Sequence, residues 1–150
     1  MLNLYKFQEQ AVADLDAGKH ICLLPTGAGK TAVMFNWLRD TGKKNVVIIT
    51  TATKSKSGDM EKEALMWCGQ EWIDSLDSFE VISWHKLDKF SLNVGLNHLE
   101  DYAFAFDEVQ KCKGYTTGMG YAFRRICIHC PVWNPFLVPL KIPSTLPNRR

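Results

Sequence analysis

At 150 residues, 46% hydrophobic and 23% charged, the chain has the make-up of one globular domain with a real core, and is short for two domains of usual size. No run approaches the roughly 18 apolar residues that cross a bilayer, which argues against a membrane partner. Net charge is only +2, yet all 16 acidic residues lie within residues 1–108, while residues 109–150 hold seven Lys/Arg and no acid. Such an asymmetry suits a basic flank, nucleic-acid contact or a tail of foreign origin. The opening Met1-Leu2-Asn3-Leu4-Tyr5-Lys6 is neither a signal peptide nor an Arg-rich transit sequence. The expected compartment is the cytoplasm, or the nucleoid if DNA is the partner.

In chain order, residues 7–17 read as a helix, residues 20–24 as an apolar strand and residues 31–41 as a second helix. Further strands are expected at 45–50, 79–83 and 102–106. A helix over 59–72 separates the second and third strands, and a shorter helix or turn lies within 86–100. Ser57 or Asp59 can cap the third helix, with Glu61 and Glu63 in its first turn, where negative charge is favourable. Strands apolar on both faces, alternating with helices, predict an α/β fold with a mostly parallel sheet flanked by helices on both faces. Beyond residue 130 the pattern changes. Pro131, Pro135, Pro139, Pro143 and Pro147 recur every four residues, which excludes a helix and most central strands. The expected division is a core over 1–130 and a proline-rich, poorly ordered, irregular tail over 131–150.

Five cysteines (Cys22, Cys68, Cys112, Cys127, Cys130) make an odd count within apolar segments, which suits reduced thiols. Cys127-x-x-Cys130 with His129 and Cys112 invites a zinc reading. A zinc site needs four ligands in well-formed pairs, and Cys112 has no close partner in sequence, so incidental thiols are favoured.

The most informative stretch is Leu23-Leu24-Pro25-Thr26-Gly27-Ala28-Gly29-Lys30-Thr31. A strand, a glycine-rich turn and a helix, in that order, form the setting of a phosphate-binding loop. Gly27 and Gly29 let successive N–H groups face inward as an anion nest, with Thr26 and Ala28 between and beside them, and the helix adds its positive end. Lys30 can reach the β- and γ-phosphates of ATP as a point charge, and the Thr31 hydroxyl can ligate magnesium (Mg2+). Tyr102-Ala103-Phe104-Ala105-Phe106 is a buried strand ending in Asp107 and Glu108. Ligands of such sheets lie at the carboxyl ends of the strands, which should bring both acids beside Lys30 and Thr31. Asp107 can then hold magnesium through a water, and Glu108 can orient and deprotonate an attacking water.

PTGAGKT (25–31) and DEVQ (107–110) together resemble motifs I and II of superfamily 2 DNA helicases and translocases, near the Swi/Snf-like and phage-type members. The general phosphate-loop pattern has glycine where this chain has Leu24. The resemblance implies a RecA-like ATP-binding domain, and it covers roughly residues 4–125. Leu4-Tyr5-Lys6-Phe7-Gln8 is similar to the family's glutamine motif, which makes Gln8 the adenine reader, with Tyr5 or Phe7 against the base. Thr50 and Thr51 stand where motif Ia touches the nucleic-acid backbone, and Lys54 and Lys56 suit phosphate contact. Ser83-Trp84-His85 falls near motif Ib, where Trp84 and His85 read equally well as packing residues. Gln110 takes the place that couples nucleotide state to later motifs.

Motif III is expected after the next strand and has no counterpart after Cys130. The second RecA-like domain, with its arginine finger, does not follow. The expectation is therefore a truncated or frame-shifted first domain that binds ATP and hydrolyses it slowly, with another chain as a candidate source of the second domain. The alternative is a nucleotide-dependent nucleic-acid-binding module without useful turnover. A small-molecule kinase would need lid arginines, and outside the terminal pair the chain offers Arg39, Arg124 and Arg125.

Overall fold

The computed structural model describes residues 3–18, 22–23, 29–112 and 117–137. The helices are α1 (Lys6–Asp16), α2 (Lys30–Asp40), α3 (Ala52–Ser57), α4 (Asp59–Asp74), α5 (Leu87–Val94) and α6 (Gly118–His129). The strands are β1 (Cys22–Leu23), β2 (Asn45–Thr50), β3 (Ser78–Ser83), β4 (Tyr102–Asp107) and β5 (Trp133–Leu137). The five described strands form one sheet in the order β1-β5-β4-β2-β3, and every described pair is parallel.

Alternation along the strands builds two cores. Val46 and Ile48 of β2 and Ala103 and Ala105 of β4 pack with α1, α2 and α4. Val47, Ile49, Phe104 and Phe106 point the other way, onto Trp84, Leu87, Ala122 and Ile126 of the second helical layer. This is the physical reason β2 and β4 read as unbroken apolar runs: both their faces are covered. The alanines of β4 leave room for α2, whose residues Ala32 to Leu38 are all buried. An enclosed helix needs no polar stripe. Its one polar member, Asn36, is satisfied locally: Nδ2 donates to Ala32 O at 2.7 Å, and Oδ1 accepts from Arg39 at 2.8 Å.

Two helices carry weaker signals. Helix α3 has no buried residue and is held by its cap, the Thr51 hydroxyl accepting from Lys54 N at 3.3 Å. Helix α6 contains two glycines, but Met119, Ala122, Phe123, Ile126 and Cys127 fall on one stripe that packs into the second core. Asp59 opens α4 behind Gly58, which takes the left-handed conformation at the N-cap, and Ser57 Oγ accepts from Asp59 N at 3.2 Å. Helix α4 is interrupted at Gly69, where φ is 83° and ψ 162°.

The expected division at residue 130 needs correction. Trp133–Leu137 is a strand of the sheet, set between β1 and β4, and Phe136 is fully buried against Trp37 at 5.8 Å between ring centroids. Pro135 is tolerated for a geometric reason. Phe104 N donates to Val132 O at 3.0 Å, which turns the backbone groups of alternate residues, Asn134 and Phe136 included, toward β4. Pro135 therefore directs its donor-less nitrogen to the β1 side, where the described register pairs Cys22 with Phe136 and Leu23 with Leu137. The strand thus replaces the gap expected after Cys130. Residues 138–150 of the expected tail lie outside the described residues.

Because Phe136 is a core residue, Phe136→Ala should cost about 3–5 kcal/mol in urea unfolding. Ile128→Ala, at a side chain 73% exposed, should stay within about 0.5 kcal/mol of the parent. Equal, small effects for both would remove β5 from the core.

Candidate functional site

Strand β4 ends on a stiff aromatic face. Tyr102, Phe104 and Phe106 stack in series at 5.7 and 6.0 Å, and Trp84 and Phe123 close over Phe106 at 5.7 and 4.7 Å. Trp84 Nε1 also donates to Asp107 O at 2.9 Å, so the last residue of the strand is fixed by backbone as well as by packing. Trp84 is thus a packing residue, and His85 beside it is exposed.

The Asp107 side chain has no solvent exposure. Lys30 Nζ, at the first residue of α2, stands 2.6 Å from Asp107 Oδ1. Thr50, the last residue of β2, donates its hydroxyl to Asp107 Oδ2 at 2.8 Å. Lys54 Nζ lies 3.6 Å from the same Oδ2 and donates to Glu108 Oε1 at 2.9 Å. Two lysines and two carboxylates thus form a neutral cluster at the carboxyl ends of β2 and β4, with Lys54 joining the Lys30, Asp107 and Glu108 that the sequence puts together. Burial alone would lower the Lys54 pKa. Its hydrogen bond to Glu108 and the charges of Asp107 and Glu108 outweigh that and raise it above the usual lysine value.

Glu108 adopts φ 54°, ψ 55°, and among the described residues it is the only non-glycine with positive φ. A left-handed non-glycine residue costs of order 1–3 kcal/mol and persists where its surroundings impose it. Here the turn after β4 aims the Glu108 carboxylate back across the strand ends, toward Lys54.

On the other side, α2 starts at Gly29, which has φ 77°. Its positive φ favours glycine, and a Cβ at this position would also meet Gln8 Nε2 and oblige that amide end to shift. Gln8 itself is buried, and its Oε1 accepts from Tyr5 N at 2.9 Å as the reciprocal arm of an N-terminal capping box on α1. Tyr5 and Phe7, 72% and 51% exposed, stack on each other at 6.0 Å next to it. Thr26, Gly27 and Ala28, expected to cradle phosphate, lie outside the described residues, as does the rest of the loop before Gly29.

Other expected positions are distributed as follows. Thr31 donates its hydroxyl to Glu63 Oε2 at 3.4 Å, and Trp67 Nε1 holds the same oxygen at 2.8 Å. Thr50 is corrected: it is fully buried and committed to Asp107, hence no surface contact for a nucleic acid. Thr51 caps α3, Lys56 is exposed, and Gln110 is exposed beyond Glu108. The place of Glu63 beside Thr31, that of Trp67 and the Lys54–Glu108 pair escaped sequence reading. The first two are ordinary members of an amphipathic helix, and a 54-residue separation hides the third. Burial raises the pKa of Cys127 to about 12 and those of Cys68 and Cys130 to about 11, as suits inert thiols. Among the described residues, no group of three or more His, Cys, Asp or Glu is placed to hold a metal ion.

The donor set fits a magnesium ion bound jointly with phosphate. Such ions take one or two protein oxygens plus phosphate and water. Asp107 Oδ1 is buried and receives no well-directed hydrogen bond among the described residues despite the nearby ammonium, which leaves a lone pair open. The Thr31 hydroxyl follows Lys30 directly on α2.

No protein-family model matches this chain, and no curated protein does. Among solved structures it is similar to a hypothetical ATP-dependent RNA helicase from Sulfolobus tokodaii, with 17% identity and a TM-score of 0.59 over 91% of this chain. The match spans 46% of that protein, so this chain corresponds to about half of it. The likeness shows the fold: a RecA-like α/β domain with a parallel sheet between helical layers. No helix among the described residues is long and apolar enough to cross a membrane.

Gly29→Ala should lower stability by about 1 kcal/mol or more, because strain in φ and the clash with Gln8 add. Adding Gln8→Ala should recover only the clash component. A Gly29→Ala protein that melts with the parent would refute the described loop-to-helix junction.

Proposed function

We propose that this chain binds Mg-ATP where α2 meets the end of β4, and that it is the ATP-binding unit of a nucleic-acid-dependent helicase or translocase, with DNA as the expected partner. The observation that supports this most is the pairing of Lys30 with Asp107 at 2.6 Å, since two separate sequence motifs with complementary chemistry meet there. In this reading Lys30 moves its charge from Asp107 to the β- and γ-phosphates. The first N–H groups of the 11-residue α2, unpaired within the helix, face the same anion. Thr31 and Asp107 Oδ1 would hold the magnesium, which when bound supplies positive charge against the phosphates. Glu108 orients the attacking water and takes its proton. The exposed Tyr5–Phe7 pair offers a platform for the adenine, and Gln8 ties that platform to Gly29.

Lys54 and Lys56 present cations on α3 for backbone phosphates. Efficient turnover is expected to draw on a second RecA-like unit, from the same or another chain, for a further cation at the transition state. In related chemistry such a cation contributes roughly 10³–10⁵ in rate.

Calorimetric titration with Mg-ATP tests the reading. Lys30→Ala should weaken binding at least about tenfold, since a charge-assisted phosphate contact is worth over about 1.4 kcal/mol. Lys30 also neutralises Asp107, so the same titration on Lys30→Ala/Asp107→Asn, with charge balance restored, separates lost binding from lost folding. Equal ATP affinity in the parent and the folded variants would overturn the proposal. Turnover measured with single-stranded DNA, duplex DNA and RNA then separates the nucleic-acid partners, and no stimulation by any of them favours a binding module.

A further inference from the structure

Lys54 has two tasks that it cannot perform at once. It belongs to α3, whose lysines are the expected contacts for nucleic-acid phosphates, and its ammonium is also the hydrogen-bond donor to Glu108 Oε1 at 2.9 Å. The side chain is 42% exposed while Glu108 is 22% exposed, so Lys54 bridges solvent and the proposed base. The Glu108 oxygen that would orient an attacking water is taken up as the acceptor of the Lys54 ammonium.

We propose that Lys54 is a positioning residue that couples nucleic-acid binding to ATP hydrolysis: at rest it restrains Glu108, and a backbone phosphate that draws the ammonium away releases Glu108 to orient the attacking water. The claim rests on the function proposed above and adds its regulation. The physical balance favours a reversible restraint. Partly exposed ion pairs contribute little net stability, so a phosphate array can compete for the lysine. Asp107 survives the loss, since Lys30 at 2.6 Å and the Thr50 hydroxyl at 2.8 Å remain on it. Among the described residues Glu108 has no second partner of that kind, and its left-handed backbone keeps it aimed into the site. Thr51, which caps α3 through Lys54 N, fixes where the lysine starts from.

The test is a double-mutant cycle on the full chain, read as affinity for a fluorescent single-stranded oligonucleotide at fixed low salt and without nucleotide. Glu108→Gln frees Lys54, so affinity should rise several-fold. In the Lys54→Met background the same Glu108→Gln change should leave affinity within about twofold. A merely electrostatic effect of removing an acid would appear equally in both backgrounds, and that result would overturn the proposal. So would failure of the folded parent to bind the oligonucleotide. A Mg-ATP titration on the same preparations reports separately whether the nucleotide reading stands. Where turnover is measurable, Lys54→Met should raise the rate without nucleic acid several-fold, leave KM for ATP unchanged and abolish stimulation. An unchanged basal rate with full stimulation contradicts the restraint.

Discussion

A carboxylate with no access to water is the constraint around which this protein is arranged. An ionised group in that position costs several kcal/mol unless charge and hydrogen bonds compensate it. Asp107 receives compensation from three directions, with Lys30 from the start of α2, Thr50 from the end of β2 and Lys54 from α3. Each of these groups sits at the carboxyl edge of the sheet only because the parallel order brings β2 beside β4 and the α2 helix across β4. The same arrangement leaves Asp107 Oδ1 buried without a well-directed donor among the described residues. Stability and chemistry are therefore set by the same few contacts.

The packing behind the cluster is dense on both faces of β4. Alanines in β4 admit a fully enclosed α2, and on the opposite face stacked aromatics immobilise the strand that carries Asp107. Motion is left to long side chains and to the turn at Glu108. In the proposed reading Lys30 and Lys54 exchange a carboxylate for a phosphate while the backbone stays in place. Backbone strain is concentrated at Glu108, the residue whose carboxylate must point across the strand ends.

Much of this was legible in the sequence, and the failures have identifiable causes. Strands covered on both faces announce themselves as apolar runs, which is why Asn45–Thr50 and Tyr102–Asp107 were found almost to the residue. Lys30 and Asp107 could be paired in advance because a parallel sheet sends all its carboxyl ends to one edge. Strand β5 was missed because proline normally excludes a central strand. The exception depends on which neighbour Pro135 faces, and that is fixed by register with β4, not by local sequence. Helix α3 was missed since it buries nothing, and Thr50 was assigned to nucleic-acid contact because a strand-end position does not by itself show that the hydroxyl turns inward to Asp107. The Lys54–Glu108 pair joins two segments that carry no common pattern, so only tertiary structure reveals it.

The central claim is that Asp107 is the charge that phosphate-bound magnesium is meant to satisfy. It is tested most directly by ATP affinity measured with and without Mg2+ for the parent and for Asp107→Asn. The account predicts that magnesium strengthens ATP binding to the parent, and that Asp107→Asn keeps magnesium-free binding but loses most of that gain. A folded Asp107→Asn protein with an undiminished magnesium effect would contradict it.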